Sequence, residues 1–333
     1  MGWKGTVRSI GAAVRAAERD AKRRQRELER QQLQFEKMQE LEQAAYEVEV
    51  YENHIDVIQS THKECSPPID WNKIASSKQP TEPQRSNDNE SEARQSLKSY
   101  KPGFIDRLLK REEKKRSLLS QKVDEAIKKD EVNYKSSVSK WEKDTGEWKE
   151  SVAIAKALLD GKAEAKIEAI ENLQPFTEIS NLGSSLSISV YDNGILEATI
   201  NVHGTEIVPS KTKSLLKSGK LSVKNMPKGK FNEIYQDYVC SCVLRVGNEL
   251  FSAIPDNLVI VTAVDELLNS QTGHLEDAPI LSVAVSRSTI ERLNLEAIDP
   301  SDSMDNFKHN MSFKKSKGFE RVERIDPEGL DCA

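Results

Sequence analysis

The chain has 333 residues, 31% of them charged and only 37% hydrophobic, with a net charge of −5. That apolar share lies below the roughly 45–50% of ordinary globular chains and suits long solvated helices that bury a narrow stripe. The length leaves room for about two domains, and no run approaches the ~18 apolar residues of a membrane-spanning helix. The N-terminus also lacks the apolar core and small-residue cleavage site of a secretory leader. Cys65, Cys240, Cys242 and Cys332 show no disulfide framework. A reducing cytoplasm is therefore the expected location.

The first thirty residues carry nine Lys/Arg against four acids. Gly2 and Thr6 satisfy the myristoylation spacing, but Trp3 and Lys4 between them do not suit it. Heptads counted from Val7 place Val7, Val14, Ala21, Leu28 and Phe35 on one line, with Ile10, Ala17, Arg24, Gln31 and Met38 on its partner. This 3,4 spacing predicts a coiled coil, with Arg24 and Gln31 interrupting its seam. Val7, Ile10, Val14 and Ala17 make too small a face for membrane insertion, so peripheral membrane contact is not expected. Beyond Met38 the apolar positions run Leu41, Ala45, Val48, Tyr51, Ile55 and Ile58. Residues 1–65 thus read as one long helix, basic at its start, with no proline before Pro67.

Residues 66–99 read as a polar linker containing Pro67, Pro68, Pro80 and Pro83, in which Ile69, Trp71 and Ile74 form one short docking turn. Residues 100–172 read as a second long helix followed by a short one. The seam of the long helix is Tyr134, Val138, Trp141, Thr145, Trp148, Val152, Ala155 and Leu159, and Asp160-Gly161 stops it. Two long helices joined by a linker predict an antiparallel coiled-coil hairpin, or arms that pair between subunits.

Residues 173–333 read as an α+β domain with a mainly antiparallel sheet, in the order β-β-α-β-β-α. Its clearest element is the hairpin LSISVYDNGILEATINV. A two-residue Asn193-Gly194 turn would mix the faces. A three-residue turn, Asp192-Asn193-Gly194, puts Leu186, Ile188 and Val190 on one face with Leu196, Ala198 and Ile200. A basic connector follows, then a helix with the stripe Phe231, Tyr235, Tyr238, Val239, Cys242, Val243, Val246 and Leu250. LVIVTAV and PILSVAV are strands separated by an acidic loop, and Asp299-Pro300-Ser301 opens a last short helix.

Four groups of residues bear on chemistry. Lys211, Lys213, Lys217, Lys220, Lys224, Lys228 and Lys230 fall between Glu206 and Glu233 with no acid among them. Spaced lysines neutralise phosphates without reading bases, so this segment and the basic residues 1–30 are the candidate nucleic-acid contacts. Asp265, Glu266, His274, Glu276 and Asp277 gather carboxylates and an imidazole in one loop, the only basis for an enzyme, a metal-dependent phosphodiesterase. A nuclease of the restriction type would pair an acid with an acid-x-Lys triplet on a strand. Here Pro255-Asp256 is present, but Glu147-Trp148-Lys149 and Glu164-Ala165-Lys166 both sit on predicted helices.

Cys240 and Cys242 stand two apart on a helix, about 200° around its axis, and do not suit a shared metal. Cys242 is expected in the core and Cys240 at or near the surface. His203-Gly204, with Ser210 and Thr212 nearby, matches no nucleophile or nucleotide motif and reads as a turn. No cofactor is expected. The leading expectation is a non-enzymatic interaction or scaffold protein that oligomerises or binds a protein partner through its helices. Nucleic-acid association is the alternative.

Overall fold

A computed structural model describes residues 40–102, 111–176, 185–202 and 207–330. The heptads from Val7 to Met38, the basic start, His203-Gly204 and Cys332 lie outside the described residues. The helices are α1 (Glu40–Gln59), α2 (Trp71–Ala75), α3 (Asp88–Ser99), α4 (Glu112–Leu159), α5 (Ala163–Leu173), α6 (Lys228–Ala253) and α7 (Arg287–Ile290). The strands are β1 (Ser185–Val190), β2 (Leu196–Asn201), β3 (Lys211–Leu215), β4 (Leu221–Asn225), β5 (Leu258–Leu268), β6 (Leu275–Ser286), β7 (Lys308–Lys314) and β8 (Gly318–Glu320). The described residues divide into two compact units, one within 76–153 and the other formed by 40–75 with the described residues from 154 onward.

In the first unit the chain ahead of α3 lies along α4. Trp148 Nε1 donates to Ser77 O at 3.2 Å, and Trp141 Nε1 donates to Pro80 O at 3.0 Å. Further on, Asp130 accepts from Asn89 Nδ2 at 2.6 Å and from the Glu90 amide at 2.8 Å. As one strand of chain runs 77, 80, 89, the other runs 148, 141, 130, so the two are antiparallel. The polar-linker expectation is corrected over α3. Five residues past Pro83 the chain turns helical, because Asp88 and Glu90 suit the positive end of the helix dipole and Asp130 takes up an orphan amide from outside.

The second unit holds a six-stranded sheet in the order β1-β2-β5-β6-β7-β8, with β3-β4 as a separate hairpin. Only the β2–β5 pair is parallel, so this part of the chain is mixed helix and sheet with a mainly antiparallel sheet. In the first hairpin Val190 pairs with Leu196, Ile188 with Ala198 and Leu186 with Ile200, as the three-residue turn requires. Gly194 has φ 82°, the left-handed position that closes such a turn. β5 is buried on both faces from Val259 to Asp265, which is why LVIVTAV is continuously apolar rather than alternating.

α6 packs on one face of this sheet, and at Gly247 the approach is tight enough that a Cβ would lie 3.1 Å from Val285. Its last turn is held by Arg287, whose Nη2 donates to Phe251 O and Ile254 O at 2.9 and 2.7 Å. The far side of α6 carries the polar stripe Ser241, Arg245, Glu249 and Ser252, all buried. Residues 61–71 lie on that stripe. Ser241 Oγ accepts from the His62 amide, Arg245 Nη1 donates to Thr61 O, Glu249 Oε1 accepts from the Ser66 amide, and Ser252 Oγ donates to Ser66 O. α2 then buries Trp71, whose Nε1 donates to Ala253 O.

This covering corrects two expectations. Cys240 is fully buried like Cys242, because a helix wrapped on both sides has no surface there. On α1 the buried face contains Ala44, Val48 and Ile58, while Leu41 is 51% exposed and Ala45 is also exposed. The helical run ends at Gln59, followed by a 3-10 turn over Thr61–Lys63. Among the described residues no helix is long and apolar enough to cross a membrane.

Candidate interaction surfaces

The lysine run is not a flexible connector. Lys211 to Lys224 form the β3–β4 hairpin, which packs against α1 and closes at Gly219 with φ 79°. The missed signal is the segment Leu215-Leu216-Lys217-Ser218-Gly219-Lys220-Leu221, a glycine-closed turn between two leucine-bearing runs. Lys213 is half-buried and its Nζ lies 3.0 Å from Glu47 Oε2, which holds the Glu47 carboxyl below the usual range. Lys211, Lys217, Lys220, Lys224, Lys228 and Lys230 are exposed.

Lys228 and Lys230 belong to the first turn of α6, not to the hairpin. There they meet the turn between β7 and β8: the Lys315 stem lies against Gly229, its Nζ pairs with Glu233, and Asn232 Nδ2 donates to Lys315 O. Lys314 and Lys317 pair with Glu320 at 3.6 and 3.9 Å. The basic surface therefore includes a C-terminal turn that the sequence reading left out.

The acidic loop is also regular structure. β5 and β6 continue as a paired ribbon to Leu268 and Leu275, and pleating sends its acids to opposite faces. Asp265 faces α6, is buried, and accepts from the Tyr235 hydroxyl. Burial, reinforced by the Asp265 charge, pushes the Tyr235 phenol far above its ordinary value. Glu276 accepts from Asn269 Nδ2 at 2.9 Å and Thr272 Oγ1 at 3.2 Å, while His274 sits in the turn. Glu266 and Asp277 stand opposite one another on the other face. Among the described residues no group of three or more His, Cys, Asp or Glu is arranged to hold a metal ion.

Two fragments weighed for nuclease chemistry do meet. Lys166 Nζ lies 2.7 Å from Asp256 Oδ2 and donates to Gly194 O at 2.8 Å. Glu164 is exposed, on the other side of α5, as helical spacing dictates. Lys166 is a buried clamp between α5, the first hairpin turn and the loop before β5. Despite it, burial raises the Asp256 carboxyl. Among the described cysteines, burial pushes Cys242 up to about 12 and Cys65 up to about 11, which keeps both as thiols at neutral pH.

The sheet face away from α6 is crossed by residues 321–330. Arg324 Nη1 and Thr262 Oγ1 each lie 2.7 Å from Glu197 Oε1, and the Tyr191 hydroxyl donates to Oε2. Burial, then that carboxylate, pushes Tyr191 up to about 12. Beside this network lies an open groove of about 930 Å³, lined by Ser187, Thr199, Asn201, Arg321 and Glu323. With Glu197 satisfied by three partners, the network reads as a fastening for the C-terminal segment. Set against protein-family models, curated proteins and solved structures, the chain matches none.

Proposed function

We propose that this chain is a non-enzymatic, cytoplasmic interaction protein whose long helices pair, as a coiled-coil hairpin or as arms, with a protein partner or a second copy. One observation carries the reading: α4 runs for 48 residues and leaves Leu118 and Val132 53% and 64% exposed, two heptads apart and so on one side. At ~1.5 Å per residue the helix is about 72 Å long, far beyond what an isolated packing role needs. Its charged surface is laced with pairs such as Glu112–Arg116 and Glu131–Lys135, which keep a solvated helix soluble while a partner is absent. The free thiols Cys65, Cys240 and Cys242 support a reducing location. Light scattering on the full chain over a range of concentrations tests self-pairing. In high salt, which screens contacts between exposed charges, the wild type should rise above the mass of one chain, and Leu118→Asp with Val132→Asp should return it to one. A wild type that stays a single chain throughout removes the self-pairing form.

The exposed lysines of the β3–β4 hairpin and of the first turn of α6 favour a second reading, non-specific association with nucleic-acid phosphates. Fluorescence anisotropy with short single- and double-stranded oligonucleotides at increasing salt decides it. Binding that falls steeply with salt supports it, and no binding at low ionic strength ends it.

A further inference from the structure

We propose that the tip of the β5–β6 hairpin of one molecule docks on the β3–β4 hairpin of a second copy. The inference does not rest on helix pairing. Leu268 and Leu275 pair across the ribbon at 67% and 62% exposure, the two most exposed leucines among the described residues. On the same face the next pair inward is Glu266 opposite Asp277. Like charges set directly opposite in an antiparallel ribbon are unfavourable, and although Asp277 borders the groove that Arg321 also lines, neither acid forms a salt bridge among the described residues. A cationic, apolar counterpart would relieve both features at once.

The β3–β4 hairpin has that composition. Leu215, Leu216 and Val223 are 45%, 50% and 46% exposed, and Lys211, Lys217, Lys220 and Lys224 are exposed around them. Because both apolar groups are open to solvent, the two hairpins do not cover one another within a chain. The acidic tip repels a second acidic tip, and the basic hairpin a second basic hairpin. The contact therefore joins tip to hairpin, and it is either reciprocated in a closed two-fold dimer or repeated from molecule to molecule as a ring or an open chain. A contact between two hairpins lies at the small end of interfaces, so each one is weak and depends on ionic strength.

Sedimentation velocity of the full chain at low and high salt reads the association. Two charge-reversed proteins, Glu266→Lys with Asp277→Lys and Lys217→Glu with Lys220→Glu, should each self-associate about tenfold more weakly than the wild type. Mixed together, they should associate again. Reversed proteins that associate like the wild type, a mixture as dissociated as its parts, or a wild type with no salt-sensitive association would each overturn the inference. A second readout does not depend on affinity: under mild oxidation, Leu268→Cys mixed with Leu216→Cys should give the mixed disulfide dimer. A dominant Leu268→Cys homodimer overturns the tip-to-hairpin contact. If the α4 substitutions abolish assembly while the reversed hairpins leave it intact, the helices alone assemble the protein and this inference fails by itself.

Discussion

Arg245 Nε lies 3.1 Å from Glu249 Oε1, one helical turn further along α6, with the two side chains 2% and 0% exposed. The pair is not closed on itself. Arg245 Nη1 also donates to the Thr61 carbonyl and Glu249 Oε1 also accepts from the Ser66 amide, so the pair fixes an irregular segment onto a helix. Removing one partner strands a buried charge. Arg245→Met or Glu249→Leu should each cost about 3–5 kcal/mol in urea unfolding. The double variant should cost less than the sum, yet not recover fully, because the backbone groups of Thr61 and Ser66 then lose partners worth about 1–3 kcal/mol each. Additive single costs would mean that the two side chains act independently.

His62 gives that same segment a pH dependence. Its Nδ1 lies 2.8 Å from Ser241 Oγ, and burial, with help from Lys63, lowers its pKa below 6.5. The Leu295 backbone, Glu296 and Asp299 oppose that shift without reversing it. An imidazole with a lowered folded-state pKa takes up its proton more readily in the unfolded chain. Its contribution is therefore complete above 6.5 and is lost as the pH falls from there through the lowered value. Half-buried Asp237 and Asp256, both raised above 3.8 by desolvation, act with the opposite sign in a window that runs upward from 3.8. The melting temperature should therefore drop between about pH 7.5 and about pH 5.5, and His62→Asn should flatten that drop. An unchanged slope in the variant would assign the pH dependence to other groups.

How far the residues foretold this fold depends on how many faces each element buries. The Leu186–Val190 hairpin alternates apolar residues on one face with polar ones on the other, so alternation and Gly194 point to one register. β3–β4 has half-exposed leucines on lysine-rich strands, and there the charge pattern masked the turn. The acids at Asp265 and Glu276 look like one loop because sequence proximity does not show that the strands continue past Val264. The stripe Ser241, Arg245, Glu249 and Ser252 has helical spacing, but its partner is backbone from 61–66, which has no periodicity to read.

Asp130 should act as a detachable cap. It accepts from Asn89 and from the Glu90 amide, and those bonds hold its carboxyl below the usual range. A depressed carboxyl contributes above its unfolded value of 3.8 and loses that contribution as the pH falls through the depressed one. Asp130→Ala should speed amide hydrogen exchange across Asp88–Ser99 while leaving the strands of the six-stranded sheet unchanged. Faster exchange throughout the chain would make Asp130 a global rather than a local support.

Gly194 and Gly219 both close turns at positive φ, but their surroundings differ. A Cβ on Gly194 meets nothing within 4 Å, whereas one on Gly219 comes within 3.2 Å of Leu41 Cδ2. Alanine at either position should cost about 1–2 kcal/mol, the penalty of the left-handed conformation for a residue with a Cβ. Asparagine, which tolerates that conformation by bonding locally, separates the two. Gly194→Asn should regain much of the loss because its side chain projects into open space. Gly219→Asn should not, because the amide would displace Leu41 from the hairpin it packs against. Urea midpoints of the four variants measure this directly, and equal recovery at both positions would mean that the Leu41 contact carries no weight in holding α1 against β3–β4.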